Sequence, residues 1–251
     1  MTRGIRTFIV QFLVDILLTC VIRLFDQVNA HPDLHFIVIV NPRNEAEIAS
    51  ALPQSYRTAL QKLNDFPNVN LLGYISTNGS MRPIDQVLAD SREYATWSDP
   101  GASGKFSLDG LYFDDVPLTK DTEGESRYMD LVDWAVKGDD TFGREPIAIH
   151  NTKGVPSYFD NTTDITIVFD GTYEEYLDQR ETLRKLDDHL RSKLGLFVTS
   201  VPSEDLNVTE VVKEMSKIAA NLYITESTGD EYGSLGPLWA QFVNAVTKLD
   251  A

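Results

Sequence analysis

Residues 165–190 have the sequence ITIVFDGTYEEYLDQRETLRKLDDHL, which shows the structural unit from which the fold can be inferred. A short β-branched run, 165–170, ends on an aspartate, and it is followed by 173–190, where apolar residues recur with helical spacing. A strand that leads directly into a helix is the building unit of folds with a parallel sheet. The stretch therefore predicts one such unit, with Asp170 at the carboxyl end of its strand.

The same unit recurs along the chain. Strand-like runs occupy 8–14, 36–40, 69–76, 108–114, 146–150, 165–170, 196–200 and 222–225. Helical patterns occupy 56–63, 83–97, 128–135, 173–190, 206–219 and 238–249. This alternation predicts a single α/β domain of the (β/α)₈ TIM-barrel type, with the first strand the one expected to be irregular or incomplete. An open doubly wound sheet is the alternative, but the glycine-rich phosphate loop that typically follows its first strand is missing.

The N-terminal segment 7–22 is strongly apolar and allows three interpretations. It follows Arg3 and Arg6, as in a secretory signal, but Gln11 and Asp15 interrupt it. It is also too short and too polar for a confident membrane span, which needs about 20 apolar residues. A first barrel strand with its helix, a degenerate signal or anchor, and a misplaced start codon all remain open. We therefore keep residues 1–23 apart from the predicted barrel domain, 24–251.

The charge and the motif content limit the possible partners. The chain carries 22 Lys and Arg against 38 Asp and Glu, a net charge of −16. Such a surface repels nucleic acid and anionic lipid and attracts cationic partners, although it can also serve solubility alone. The single cysteine, Cys20, excludes an intramolecular disulfide, and no metal or nucleotide motif is present. We expect no cofactor, no metal, no nucleic-acid partner and no stable membrane span.

Strand ends are the places to look for function, because the active face of such a barrel lies at the carboxyl ends of its strands. Neighbouring side chains of a strand point to opposite faces. On the fourth strand the bulky Leu111 and Phe113 are predicted to face the helices. That turns Tyr112 and Asp114 into the lumen, with Asp115 directed toward the wall or rim.

The same rule gives directions for two further strands. The sixth strand carries its bulkiest residues at positions predicted to face outward: Ile165, Ile167 and Phe169. Its lumen-facing residues would then be Thr166, Val168 and Asp170. On the fifth strand Ile147 and Ile149 would face outward and His150 inward, where its imidazole would line the same cleft. A hydrogen-bonded His150 without a chemical role is an equal alternative.

Candidate substrate-binding residues lie at the same end of the barrel. Asn41 and Asn151 end the second and fifth strands. Three tyrosines fall on the predicted inward set, and aromatic rings pack well against the C–H faces of sugars. These are Tyr74, Tyr112 and Tyr223.

Two inward carboxylates, Asp114 and Asp170, form the arrangement used in glycoside hydrolysis. One acid protonates the leaving oxygen, and the other attacks the sugar or activates water. A separation of about 5 Å favours retention, and one of about 6.5 to 9.5 Å favours inversion. Each aspartate could instead be a helix cap or an ion-pair partner.

Several strings, in the right order, resemble spherulation-specific family 4, the spherulin-4-like proteins, which are related to glycoside hydrolase family 135. They are HPDLHFIVIVNPRN, LNDFPNVNLLGYIST, VLADSREYATWS, LDGLYFDDVP, ITIVFDGTYEEY and GSLGPLWAQFV. The resemblance implies a (β/α)₈ barrel, secreted or at the cell surface and common in fungi. It also implies endo-acting, retaining cleavage of α-1,4-linked galactosamine and N-acetylgalactosamine polymers.

The family pattern has an Asp-Glu pair ending the fourth strand and a Glu ending the sixth. The corresponding residues here are Asp114, Asp115 and Asp170, so two of the three acids are shorter by one methylene. The resemblance implies that Asp114 is the nucleophile and Asp170 the acid/base, or the reverse, with Asp115 tuning them.

Our leading hypothesis is accordingly a retaining endo-glycosidase acting on a galactosaminogalactan-like polymer. When partly deacetylated, this polymer is cationic, in agreement with the net charge of −16. The second hypothesis is a catalytically impaired surface or carbohydrate-binding protein. A barrel aldolase or isomerase is a weaker third, because no strand carries an obvious Schiff-base lysine.

Overall fold

The computed structural model describes residues 7–13, 18–42, 52–97, 106–138, 142, 145–228 and 235–250, with side chains between residues 22 and 249. Eight strands lie in these ranges: β1 Thr7–Leu13, β2 His35–Asn41, β3 Val69–Ser76, β4 Gly110–Asp114, β5 Ile147–Asn151, β6 Ile165–Thr172, β7 Leu194–Thr199 and β8 Asn221–Ile224. The helices are α1 Leu18–Ala30, α2 Gln54–Asn64, α3 Ile84–Thr96, α4 Glu123–Lys137, α5 Tyr173–Leu183, α6 Val208–Met215 and α7 Leu238–Thr247.

The strands are parallel and neighbour one another in chain order. The seven strands β2 to β8 form a curled sheet, and β1 pairs with β2 along its length. The contact of β1 with β8 is short: Thr7 pairs with Asn221 and Phe8 with Leu222. Parallel neighbours need crossover connections, and a helix supplies each of them except the one between β5 and β6. The predicted α/β class is therefore confirmed.

The regular eight-fold repeat of strand and helix is not complete. The connection from β5 to β6, residues 152–164, contains no helix. Among the described residues, the alternation of strand and helix is interrupted at this connection. The predicted helix over 173–190 is also too long, because α5 ends at Leu183 and Asp188–Lys193 forms a 3₁₀ helix. The expected boundary after residue 23 lies inside α1, and the division into domains stays a prediction.

Two layers of apolar residues fill the molecule. The inner layer lies inside the curled sheet and consists of Ile37, Ile39, Leu72, Tyr74, Tyr112, Ile149, Ile165, Ile167, Phe197 and Tyr223. The outer layer packs the other faces of the strands against the helices. Gly73 shows how closely the helices approach, because a Cβ atom there would lie 2.6 Å from the Tyr94 ring of α3.

The layer to which a side chain belongs shows whether it points into the sheet or toward the helices, as predicted or not. On β4 they are confirmed, since Tyr112 lies in the inner layer and Leu111 and Phe113 in the outer one. On β8, Tyr223 faces inward as predicted.

On β6 the predicted alternation is wrong over the first four residues. Ile165 and Ile167 belong to the inner layer, and Val168 lies with Phe169 in the outer one. The pairing register with β7 shifts between Ile167 and Phe169, as a β-bulge does when it inserts one extra residue. Asp170 still reaches the inner side because the bulge reverses the alternation just before it.

On β5 the predicted directions are reversed. Ile149 belongs to the inner layer and Ile147 packs against it, whereas Ala148 lies in the outer layer. The bulky isoleucines of this strand face the interior and the small Ala148 faces the helices, so residue size does not mark the helix-facing side. His150 therefore points outward, and Asn151 takes the inward position at the end of the strand.

Candidate active site

Asp114 is the centre of a hydrogen-bonded group at the carboxyl ends of β3, β4 and β5. Its Oδ2 accepts a hydrogen bond from the Tyr74 hydroxyl at 2.9 Å. Its Oδ1 accepts one from the Asn151 side-chain amide, also at 2.9 Å. The side chain keeps 16% of its exposure. Both oxygens are thus held in place, while the carboxylate stays within reach of solvent.

Asn151 joins Asp114 to the second predicted acid. The same Nδ2 atom donates to Asp170 Oδ2 at 2.7 Å. Because one nitrogen makes both bonds, the two acceptor oxygens lie no more than 5.6 Å apart, the sum of the two distances. An oxygen–oxygen distance within this limit is compatible with the separation of about 5 to 5.5 Å between the carboxyl groups of retaining enzymes. The structure brings the predicted pair together.

Burial dominates the electrostatics of Asp114. It raises the pKa of the carboxyl above its ordinary value, and the charge of Asp115 acts in the same direction. The nearby Lys153 ammonium and the Tyr74 hydrogen bond lower this pKa without cancelling the rise. Burial also raises the pKa of Tyr74, as do the charge of Asp114 and the hydrogen bond to it, so this phenol stays protonated and donates.

Asp115 lies at the rim, as predicted, in a left-handed backbone conformation with φ 53°. The loop after β3 holds this turn, since Thr77 Oγ1 and the Gly79 N–H both donate to the Asp115 carbonyl at 2.7 Å. The Asp115 carboxylate points to Lys153, whose Nζ lies 2.6 Å from Oδ1. Asp115 therefore acts on Asp114 through its charge.

Lys153 is a member of the site that sequence reasoning missed. It follows β5 by two residues, with φ 54°, and its Nζ lies 3.9 Å from Asp114 Oδ1. Burial lowers its pKa, but the carboxylates of Asp115, Asp114 and Asp170 more than offset this and leave the pKa raised. The signal in the sequence was weak: a lysine two residues beyond a strand-end asparagine.

His150 does not line the cleft. Its Nε2 lies 3.2 Å from Asp133 Oδ1 on α4, and its Nδ1 lies 3.2 Å from Thr163 Oγ1. The ring is only 2% exposed. Although burial raises the pKa of Asp133, the close approach of the His150 ring and the hydrogen bond from Thr162 lower it below its ordinary value. The prediction of His150 as a substrate contact is wrong, because β5 turns the imidazole toward α4.

The three predicted tyrosines lie on the inward face, but two of them are buried. Tyr112 is 1% and Tyr223 2% exposed, and Tyr112 stacks on Phe197 with an interplanar angle of 3°. These two rings belong to the packed interior of the sheet. They were predicted to pack against sugar, but in the structure they pack against other side chains. Tyr74 contacts the site through its hydroxyl.

Asn41 is placed as predicted, at the carboxyl end of β2. It follows the inward-facing Ile37 and Ile39 in the alternation and is 1% exposed. Its role in substrate binding stays a prediction.

With this geometry established, comparison with known proteins gives the family. The model of spherulation-specific family 4 matches residues 22–246. The chain belongs to this family. The resemblance seen in the sequence is thereby confirmed over most of the chain's length.

A solved structure supports the same relationship. The crystal structure of Aspergillus clavatus Sph3 in complex with GalNAc is 26% identical in sequence, with a TM-score of 0.88. The match covers 97% of this chain and 98% of the Sph3 chain. A search of curated protein sequences gave no match.

Two kinds of feature are absent from the described residues. Among them, no helix is long and apolar enough to cross a membrane. In the same ranges, no group of three or more His, Cys, Asp or Glu side chains is arranged to hold a metal ion.

Proposed function

We propose that this member of spherulation-specific family 4 is a retaining endo-glycosidase that hydrolyses an α-1,4-linked galactosamine and N-acetylgalactosamine polymer of the galactosaminogalactan type. The observation that carries the proposal is the amide of Asn151, which holds oxygens of Asp114 and Asp170 within 5.6 Å of each other. The complex of the related Sph3 with GalNAc supports the choice of sugar.

In this proposal Asp114 is the nucleophile. Its carboxylate attacks the anomeric carbon and forms a glycosyl ester, while a protonated Asp170 gives its proton to the departing glycosidic oxygen. Water then attacks the ester, Asp170 takes up a proton from it, and Asp114 leaves as a carboxylate. The hydrogen bonds from Tyr74 and Asn151 orient Asp114 and stabilise its charged form.

The first experiment measures reducing ends released from a purified, partly deacetylated galactosamine polymer, with the product anomer followed by proton NMR. We expect internal cleavage and products of retained α-configuration. Asp114→Asn and Asp170→Asn should each abolish turnover, whereas Asp178→Asn, at an exposed position on α5, should not. Absence of cleavage by folded wild-type protein would overturn the proposal.

Azide rescue assigns the two roles. Asp114→Gly supplied with azide should form a glycosyl azide of inverted configuration, because azide replaces the missing nucleophile. Asp170→Gly should form one of retained configuration, because azide then attacks the glycosyl ester. The opposite pattern would exchange the two assignments.

The alternative is a carbohydrate-binding protein that has lost turnover. Asp115 favours it, because this residue is one methylene shorter than the family's glutamate and points to Lys153 at 2.6 Å. Asp170 is also shorter than the family's glutamate, yet it reaches the amide of Asn151.

The double variant Asp115→Glu/Asp170→Glu separates the possible causes. If the wild type binds polymer without cleaving it and the variant cleaves it, carboxylate reach explains the loss. Binding without cleavage by both proteins would place the loss elsewhere in the site.

Two further parts of the hypothesis belong to this proposal. One is that the eight strands close into a complete (β/α)₈ barrel, which the two residue pairs between β1 and β8 support. The other is a secreted or cell-surface location, which detection of the protein outside its cells would test.

A further inference from the structure

Lys153 makes two separate contributions to the site. Its backbone N–H donates to Asn151 Oδ1 at 3.1 Å. Its ammonium group lies 2.6 Å from Asp115 and 3.9 Å from Asp114. A single residue thus contacts the asparagine that links the two acids, the aspartate that ends β4 and the aspartate that follows it.

The backbone contact sets the direction of the Asn151 amide. Because Oδ1 accepts from Lys153, the Nδ2 group must face the other way, where its two hydrogens meet Asp114 and Asp170. The left-handed conformation of Lys153, φ 54°, is uncommon for a residue with a side chain. Such conformations are found where the surrounding contacts enforce them, and they cluster at functional sites.

The side-chain contact controls where the charge of Asp115 lies. Asp115 has φ 53° and is turned away from the inner side of the sheet. Its side chain is 39% exposed and that of Lys153 is 45% exposed, so the pair lies at the rim next to Asp114. The charged or titratable groups that surround Asp114 here are Asp115, Asp170, Lys153 and Tyr74.

We propose that Lys153 is a positioning residue for the carboxylate pair: its ammonium holds Asp115 at the rim and keeps Asp114 ionised, while its backbone fixes the amide of Asn151. This inference rests on the proposed function for its effect on rate. Its electrostatic part does not, because the ionisation of Asp114 can be measured in a protein without any substrate.

The sign of the effect follows from the charges. Removing a cation beside Asp114 disfavours the ionised form, so the pKa of Asp114 must rise. Solvent screens this pair only in part, because the Asp114 side chain is 16% and that of Lys153 45% exposed, so the rise should be measurable. A nucleophile with a higher pKa is protonated at a higher pH, so activity on the acid side should fall about three- to tenfold.

The decisive measurement is a carbon-13 NMR titration of the Asp114 carboxyl in the full-length protein. Lys153→Met should raise its pKa, and Lys153→Arg should keep it near the wild-type value. Asp115→Asn should lower it, because a neighbouring negative charge is removed. Lys213→Met breaks an exposed ion pair with Glu210 on α6 and serves as the matched control, with no change expected.

The kinetic counterpart is the pH profile of kcat and KM. Lys153→Met should move the acid limb of kcat to higher pH with little change in KM, and Lys153→Arg should restore it. An Asp114 pKa that is the same in Lys153→Met and wild type would overturn the inference. If Lys153→Met shifts the pKa of Asp114 but the wild-type protein cleaves no polymer, the role of Lys153 is supported and the proposed hydrolysis is contradicted.

Discussion

At the scale of single residues, Asn151 has the most demanding position in the site. Its amide serves Asp114, Asp170 and the backbone of Lys153 with three hydrogen bonds. Two acids with oxygens at most 5.6 Å apart repel each other whenever both are ionised, and the shared donor offsets that repulsion. The geometry of the pair therefore depends on one side chain that performs no proton transfer itself.

Removing that side chain should damage catalysis more than folding. In Asn151→Ala the two carboxylates lose their common anchor, and a misplacement of about 1 Å can lower kcat about a hundredfold. Steady-state kinetics on the polymer, together with the melting temperature, measure both effects. Asn161→Ala, at an exposed asparagine in the β5–β6 connection, is the control. A loss of kcat no larger in Asn151→Ala than in this control would contradict the role given to Asn151.

Tyr74 gives a second prediction, on pH dependence. Its hydroxyl lowers the pKa of Asp114 by donating to it, so Tyr74→Phe should raise that pKa further. As the pH falls, the variant should lose the ionised nucleophile before the wild type does, and the acid limb of kcat should lie at higher pH. Tyr158→Phe loses only a comparable hydrogen bond, to the Pro117 carbonyl, and should keep the wild-type profile. Identical acid limbs in Tyr74→Phe and wild type would argue against an ionised Asp114 as the reacting group.

At the scale of elements, the strand ends could be predicted, whereas the side-chain directions inside the strands were predicted correctly on β4 but not on β5 or over the first four residues of β6. Strand ends are marked by polar residues after apolar runs, which is why Asp114, Asp115 and Asp170 were found. The bulge in β6 leaves no trace in a strand that is apolar on both faces. On β5 the prediction failed because the bulky isoleucines face the interior and not the helices. Lys153 was missed because its role depends on a loop conformation that residue types do not specify.

The outward direction of His150 on β5 brings its ring against α4 and should contribute to stability. His150 and Asp133 form a buried pair between β5 and this helix, at 3.2 Å, and Thr162 donates to Asp133 at 2.7 Å. Asp133→Ala leaves the His150 ring and the Thr162 hydroxyl without the carboxylate that they contact. This should lower the free energy of unfolding by about 1 to 3 kcal/mol. Urea unfolding at neutral pH measures this change. Asp130→Ala, on the same helix, provides the comparison, and equal destabilisation of the two variants would contradict the assignment.

The same pair should make stability dependent on pH. The pKa of Asp133 is lower in the folded protein than the ordinary aspartate value of 3.8. A lowered folded-state pKa gives stability that is fully present above the unfolded value and is lost as the pH falls through the folded one. The free energy of unfolding should therefore decrease below about pH 4 in the wild type and less steeply in Asp133→Asn. Parallel curves for the two proteins would show that Asp133 does not carry this dependence.

At the scale of the whole molecule, the net charge of −16 acts over a longer range than any single contact. A cationic polymer should be drawn to this surface at low salt, and salt should weaken the attraction, because the screening length falls from about 30 Å at 0.01 M to about 10 Å at 0.1 M. A neutral, fully acetylated oligomer lacks the charge and should respond little. We expect the KM for partly deacetylated polymer to rise several-fold over this range of salt, with that for the acetylated oligomer unchanged. If both substrates respond alike, the acidic surface serves solubility, and substrate selection resides in the site around Asp114 alone.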